Sequence, residues 1–347
     1  GKFRQYKNDP KNPNSLVSNG VLFIIESKQH KLWIGTNNGL SIFDPRTNVF
    51  LNYQNDPKDN SSLSNNRIWQ IYEDRQGKMW VSTTNGLNLY KDHNGSFTRF
   101  KYDPDDPTSI SSDKIFSVYQ DKKGSYWIGT MGGGLNLYNP EKESFRSFTE
   151  EDGLPNNVVY CTLEDNDGNL WISTNWGLSK FIVEDSIFIN YDVKDGLQSN
   201  EFNAPAYHKA PDGEMFFGGM NGLNSFYPEE IGYNDDPPEV VITSFKKFNE
   251  VQPINIENND TLILNHRDNF FSFEFSALDY SNPSKNKYEF MLKNYDKDWI
   301  FRDADRRIAE YANVSPGTYE FHVKASNNDG VWNEEGIKFT IIIPPPW

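Results

Sequence analysis

One phrase recurs five times along this 347-residue chain: Trp33-Ile-Gly-Thr-Asn-Asn-Gly-Leu40, Trp80-Val-Ser-Thr-Thr-Asn-Gly-Leu87, Trp127-Ile-Gly-Thr-Met-Gly-Gly-Gly-Leu135, Trp171-Ile-Ser-Thr-Asn-Trp-Gly-Leu178 and Phe216-Phe-Gly-Gly-Met-Asn-Gly-Leu223. The leading aromatic residues stand 47, 47, 44 and 45 residues apart. That spacing is the length of a four-stranded propeller blade, a unit of about 40 to 50 residues that buries its apolar faces only by stacking on its neighbours. The first part of the chain therefore reads as five blades, in a partial or closed ring.

Each repeat reads as four strands joined by turns. In the second, Arg67-Ile-Trp-Gln-Ile-Tyr-Glu73 alternates apolar and polar side chains, Asp74-Arg-Gln-Gly77 is a hairpin turn, and Met79-Trp-Val-Ser-Thr83 is the next strand. Asn85-Gly86 reverses the chain, since both central residues of a two-residue hairpin need positive φ. Leu87-Asn-Leu-Tyr90 and Phe97-Thr-Arg-Phe100 supply the third and fourth strands. No segment keeps a 3.6-residue period between caps, so helix is expected to be nearly absent.

The ends of the array carry a second expectation. Phe3-Arg-Gln-Tyr6 matches the fourth-strand phrases Phe50-Leu-Asn-Tyr53, Phe97-Thr-Arg-Phe100, Phe145-Arg-Ser-Phe148 and Phe188-Ile-Asn-Tyr191, whereas the last repeat runs from Leu223 through Tyr227 into Pro228 without one. Residues 3–6 are thus expected to pair beside residues 223–227 if the ring closes, hiding two sheet edges. In a larger ring the open edges are expected to pair with a second copy.

Near Asp235-Asp-Pro-Pro238 the phrase stops, dividing the chain into propeller repeats at 1–237 and a second domain at 238–347. Val240-Val-Ile-Thr-Ser-Phe245, Thr261-Leu-Ile-Leu264, Phe270-Phe-Ser-Phe-Glu-Phe-Ser276, Lys287-Tyr-Glu-Phe-Met-Leu292, Thr318-Tyr-Glu-Phe-His-Val-Lys324 and Ile337-Lys-Phe-Thr-Ile-Ile-Ile343 read as strands of an immunoglobulin/fibronectin-III-like sandwich. The whole chain is then all-β. Pro316-Gly317 followed by Tyr319 has the form of a tyrosine corner, or of an ordinary turn followed by a core tyrosine.

Charge narrows the partners. With 34 basic and 49 acidic residues the net charge is −15, shared by both parts, which argues against nucleic acid or an anionic membrane surface as partner. The single Cys161 excludes an intramolecular disulfide and reads as a buried, inert thiol. No apolar run approaches the roughly 18 residues of a membrane span. Gly1 reads as a tag remnant.

The Trp-Ile-Gly-Thr-x-x-Gly-Leu phrase, preceded by a turn such as Glu164-Asp-Asn-Asp-Gly-Asn-Leu170, resembles the two-component-regulator propeller repeat. The C-terminal part resembles the triple-tyrosine (Y_Y_Y) domain through Phe273-Glu-Phe-Ser-Ala-Leu-Asp-Tyr-Ser-Asn-Pro283, Tyr288, Asp296-Lys-Asp-Trp299, Tyr311, Pro316-Gly-Thr-Tyr319 and Lys324-Ala-Ser-Asn-Asn-Asp-Gly-Val-Trp332. Together these resemble the periplasmic sensor region of a hybrid two-component system, which joins histidine kinase and response regulator in one membrane polypeptide. The resemblance implies an oligosaccharide ligand, control of glycan-utilisation genes, a homodimer, and a transmembrane helix following Ile343-Pro-Pro-Pro-Trp347. The chain departs from the family's pattern twice. The family commonly carries about fourteen blades in two rings, and Tyr295 stands where it often has Gly-Leu.

Catalytic motifs are absent: there is no Gly-x-Ser-x-Gly, no His-Glu-x-x-His, no phosphate-binding glycine loop and no Cys pair. His30, His93, His208, His266 and His322 lack ligand spacing, and Asp165-Asn-Asp-Gly168 reads as a hairpin turn rather than a calcium loop. No cofactor, metal or catalytic residue is expected. The Asn-x-Ser/Thr strings at Asn60, Asn94, Asn259 and Asn313 would matter only in a eukaryotic secretory protein. A glycosidase would need two or three carboxylates at the channel, but the residues leading into the first strands are Asn19, Asn66, Asp113, Asn157 and Phe202. A binding module would use aromatic platforms and polar loop residues on one ring face. Trp176 is the candidate platform, because the matching turns hold Asn38, Asn85, Gly133 and Asn221, and the alternative is that it packs on Leu154-Pro155. Arg67, Lys114, Glu201 and Asn203 are its candidate polar partners. Three readings remain open: ligand sensor, propeller enzyme and structural scaffold.

Overall fold

The computed structural model describes residues 3–91, 95–253 and 256–346, so Gly1, His93, Asn94 and Trp347 lie outside the described residues. Two compact units divide at Ile231 and Gly232. The first unit holds five antiparallel sheets in sequence order. They are β1 (Val21–Glu26), β2 (Leu32–Thr36), β3 (Gly39–Asp44) and β4 (Val49–Tyr53); β5 (Ile68–Glu73), β6 (Met79–Thr83), β7 (Gly86–Lys91) and β8 (Ser96–Phe100); β9 (Ile115–Gln120), β10 (Tyr126–Thr130), β11 (Leu135–Asn139) and β12 (Ser144–Phe148); β13 (Val159–Glu164), β14 (Leu170–Thr174), β15 (Gly177–Ile182) and β16 (Ile187–Tyr191); and β17 (Phe202–Lys209), β18 (Met215–Gly219) and β19 (Gly222–Phe226). Each is a meander, and each of the five phrases begins on the second strand of its sheet. Helix among the described residues is limited to 3-10 turns of three residues.

Side chains of the phrase explain its recurrence. The threonine hydroxyl closes the hairpin between second and third strands, donating to the glycine carbonyl from Thr36, Thr83, Thr130 and Thr174 at 2.7 to 2.9 Å. The tryptophan ring is buried between sheets, and its indole N–H donates to an aspartate of the preceding turn in three blades: Trp80 to Asp74, Trp127 to Asp121 and Trp171 to Asp165. Asp165 is thereby committed to a hairpin turn. The phrase leucine faces the next sheet: Leu40 packs with Ile68 and Ile71, Leu87 with Ile115, Leu135 with Val159, and Leu178 with Phe202.

The two ends of the array differ from the expectation. Residues 3–6 form no strand; Phe3 is fully exposed and Tyr6 packs on the rings of Phe43 and Phe50, against the first sheet. The fifth sheet has three strands. Leu223 is 61 % exposed where its four counterparts are at most 1 %, and Ile24 on β1 is 57 % exposed where Ile71 and Val118 are 1 %. A backbone bond that joins consecutive sheets, from Gly39, Gly86, Gly134 and Gly177 to the carbonyls of Asn66, Asp113, Asn157 and Asn200, has no counterpart at Gly222 or Asn19 among the described residues. Both outer faces of the array are therefore uncovered blade interfaces. A closing strand at residues 3–6 could not form here, since it would have to bridge those two open faces.

The second unit is a sandwich. One sheet has the order β21 (Glu250–Gln252), β20 (Val240–Lys247), β23 (Phe270–Ala277), β26 (Ile308–Ala312), and the other β22 (Thr261–Ile263), β28 (Trp332–Ile343), β27 (Gly317–Ser326), β24 (Lys287–Lys293), β25 (Ile300–Asp303). Alternating inward residues fill the space between them, with Phe273 of one sheet 5.0 Å from Phe321 and 5.2 Å from Phe339 of the other. The Tyr319 hydroxyl donates to the Ser315 carbonyl at 2.9 Å, which makes the Pro316-Gly317 turn a tyrosine corner.

Candidate functional site

The inner strand of every blade begins with the same irregularity. Its pairing with the second strand slips at Leu22, Trp69, Phe116 and Tyr160, each an extra residue bulged out of the ladder. In the fifth blade the slip widens to residues 203–206. A bulge re-aims the side chain it carries, and bulges recur beside binding sites for that reason. All four single-residue bulges stand eleven residues before the phrase tryptophan. Three of them are aromatic and touch in series: Trp69 lies 5.2 Å from Phe116 at 76°, and Phe116 lies 5.2 Å from Tyr160 at 48°.

Polar groups border this arc. The residue two before each bulge accepts, through its carbonyl, the N–H that follows the phrase threonine: Gly20 from Asn37, Arg67 from Thr84, Lys114 from Met131, Val158 from Asn175 and Glu201 from Met220, at 2.9 to 3.3 Å. Arg67, Lys114 and Glu201 thus hold equivalent rim positions in three blades, and all three are exposed. The Arg67 guanidinium lies 4.8 Å over the Trp69 ring. Tyr160 donates to Asn175 Oδ1 at 2.9 Å, and its phenol is held above its ordinary pKa by burial and then by the Glu201 carboxylate. Asn203 is exposed within the wide bulge, and Trp176, next to Asn175, is 59 % exposed. Its N–H donates to Thr174 Oγ1 at 3.0 Å, so the turn is fixed while the indole stands free of the sheet.

The five residues named from sequence therefore share one face of the array. The bulged Trp69, Phe116 and Tyr160 were not singled out, although their constant offset from the phrase marks them. The residues that lead into the first strands have structural roles: the side chains of Asn19, Asn66, Asp113 and Asn157 accept from the backbone N–H groups of Asn8, Asn55, Tyr102 and Glu150 at 2.6 to 2.9 Å. Their fifth counterpart is Asn200, which accepts from Val193 at 2.9 Å, and not Phe202, which is fully buried. Tyr207, just beyond the wide bulge, meets Gln70 Nε2 across the inner strands, and Gln70 Oε1 accepts from the Val118 N–H at 2.6 Å. One side chain thus links the second, third and fifth blades beneath the bulged residues.

Comparison with known proteins follows the same division. The two-component regulator propeller model matches residues 62–85, 109–132 and 153–176, each running through an inner strand and into the phrase, and the Y_Y_Y domain model matches residues 279–343. Over 208 residues, 57 % of this chain and 15 % of the relative, the sequence is 30 % identical to histidine kinase P4 of Formosa agariphila. The extracellular domain of a hybrid two-component system, BT3049, from B. thetaiotaomicron superposes with a TM-score of 0.84 at 28 % identity, covering 99 % of this chain and 46 % of that one. The extracellular domain of a one-component system, BT4673, from the same organism shares the fold at TM-score 0.50 and 20 % identity, covering 95 % of this chain and 56 % of that one. The chain spans less than half the length of the first two relatives.

Proposed function

We propose that this chain is the extracytoplasmic, ligand-sensing part of a hybrid two-component sensor kinase, a reading supported by the match of residues 62–85, 109–132 and 153–176 to the two-component regulator propeller model and of residues 279–343 to the Y_Y_Y domain model. The observation that carries this reading is the aromatic arc Trp69, Phe116 and Tyr160, bordered by Arg67, Lys114, Glu201, Asn203 and Trp176 on one face. Phe116 is buried and ties together the half-buried Trp69 and Tyr160 rings, which with the exposed Trp176 and the polar side chains around them suit an oligosaccharide, whose ring faces stack while its hydroxyls take hydrogen bonds. The likeness to an extracellular domain of a hybrid two-component system supports a periplasmic location in an inner-membrane protein. Glycan-utilisation genes are the output such a ligand would control.

Hydrolysis is less well supported by this face. Of the five rim positions only Glu201 is a carboxylate, and two are needed. The Y_Y_Y sandwich carries the signal, pairing with a second copy so that ligand shifts the balance between two arrangements of the dimer. Calorimetry against a panel of glycan fragments tests the reading. A binding fragment should lose tenfold or more in affinity, about 1.4 kcal/mol, in Trp69→Ala and in Trp176→Ala, with the melting temperature of Trp176→Ala unchanged. Release of reducing sugar would favour the enzyme, and no binding by any fragment would favour the scaffold.

A further inference from the structure

The five blades vary one hydrogen bond in a way that isolates a vacancy. In the second, third and fourth blades an aspartate at the turn before the phrase accepts from both the turn amide and the indole. One oxygen takes the turn amide of Lys78, Ser125 or Asn169 at 2.8 Å, and the other takes the tryptophan indole at 2.8 to 3.2 Å. In the fifth blade both partners are gone together, with Ala210 and Phe216 in their places. In the first blade only the acceptor is gone. Ser27 replaces the aspartate and reaches the Lys31 amide at 3.3 Å, while Trp33 keeps its indole, 5 % exposed and without an acceptor among the described residues.

Where the carboxylate is missing there is a cleft of about 190 Å³ between the first and second sheets, lined by Ser27, Trp33, Glu73, Lys78, Met79 and Tyr90. It holds roughly six waters' volume, enough for a molecule the size of one sugar ring. Lys28, Lys31, Arg75 and Lys78 stand on the bordering turns against Glu26, Glu73 and Asp74, and Glu73 Oε2 is already engaged by the Lys28 amide at 2.9 Å. Lys28 Nζ is anchored on the carbonyls of Asp74 and Arg75 at 3.0 Å, which holds a positive charge beside the cleft. An indole donor that meets no protein acceptor among the described residues, a turn amide held only by a long bond and an anchored ammonium beside the cleft all suit the same group.

We propose that this cleft binds a small carboxylate, whose oxygens take the place filled in the next three blades by Asp74, Asp121 and Asp165. The site lies at the turns between first and second strands, away from the bulged residues, and does not depend on the sensing role proposed above. The probes are acetate, which replaces the missing side chain alone, and glucuronate, which also fills the cleft; glucose is the neutral control. In the proton–nitrogen spectrum of the 347-residue chain, the Trp33 indole resonance, identified by its loss in Trp33→Phe, should move with acetate and move further with glucuronate. Ser27→Asp should shift the same resonance without any probe and weaken glucuronate binding at least tenfold, while raising the melting temperature. A resonance unmoved by both acids at tens of millimolar, or moved equally by glucose, overturns the proposal. If Trp33→Phe does not fold, Ser27→Asp still identifies the resonance, and a spectrum with no indole shift in that variant is equally fatal to the idea.

Discussion

At the scale of single residues, the repeated aspartate and tryptophan act as a pair. Asp121 is 4 % exposed and satisfies both the Ser125 amide and the Trp127 indole at 2.8 Å. Asp121→Ala removes a charged acceptor and leaves a buried indole N–H without one, which should cost about 3 kcal/mol, measured as a lower midpoint of urea unfolding at unchanged slope. Tyr319→Phe loses one bond to a carbonyl in a polar turn and should cost about 1 kcal/mol. Cys161, 1 % exposed against Ser173 Oγ at 3.1 Å, has its thiol pushed up to about 12 by burial. It should resist thiol reagents at pH 8 until the fold opens.

At the scale of the element, the phrase glycine is set by the fourth strand. A Cβ at Gly177, whose φ is 95°, would meet the Tyr191 carbonyl at 2.2 Å, whereas at Gly222, with φ of 127°, it would meet nothing within 4 Å. The difference follows from the missing fourth strand of the fifth sheet. Gly177→Ala adds a collision to an unfavourable backbone and should cost well over the roughly 1 to 3 kcal/mol that positive φ alone imposes, while Gly222→Ala should stay near that value. Comparing the two melting temperatures checks the claim, and equal losses would show that backbone strain alone accounts for both.

For the whole molecule, two consequences follow from how the sheets stack. Burial holds the phenols of Tyr119, Tyr126, Tyr207 and Tyr311 well above the ordinary 10.0. A raised folded-state pKa contributes stability that is complete below pH 10 and is lost as pH climbs from there toward the folded value. Absorbance at 295 nm should therefore show exposed tyrosines ionising near pH 10 and a later step coincident with loss of circular dichroism. The second consequence concerns the uncovered faces at Ile24 and Leu223. Apolar blade faces left open favour association, so the 347-residue chain should self-associate in sedimentation runs, and Leu223→Asp should shift it toward monomer.

Much of this was legible because a repeat states its own alignment. The phrase, its spacing and the Asn-Gly turns identified blades, strands and the sandwich without coordinates, since these depend on local periodicity and on backbone conformations that few residues tolerate. The short edge strands β21 and β25 were not legible, because they are three and four residues long and keep no buried side chain to set an alternation. Residues 3–6 carried a fourth-strand pattern yet pair with nothing, since a strand forms only where a neighbouring edge lies within reach, and that is settled by the curvature of the stack. The candidate site divides the same way. Arg67, Lys114 and Glu201 could be placed on a common rim from repeat position alone, but Trp69, Phe116 and Tyr160 became an arc only through a slip in strand pairing, which turns alternate side chains out of register and depends on contacts between strands.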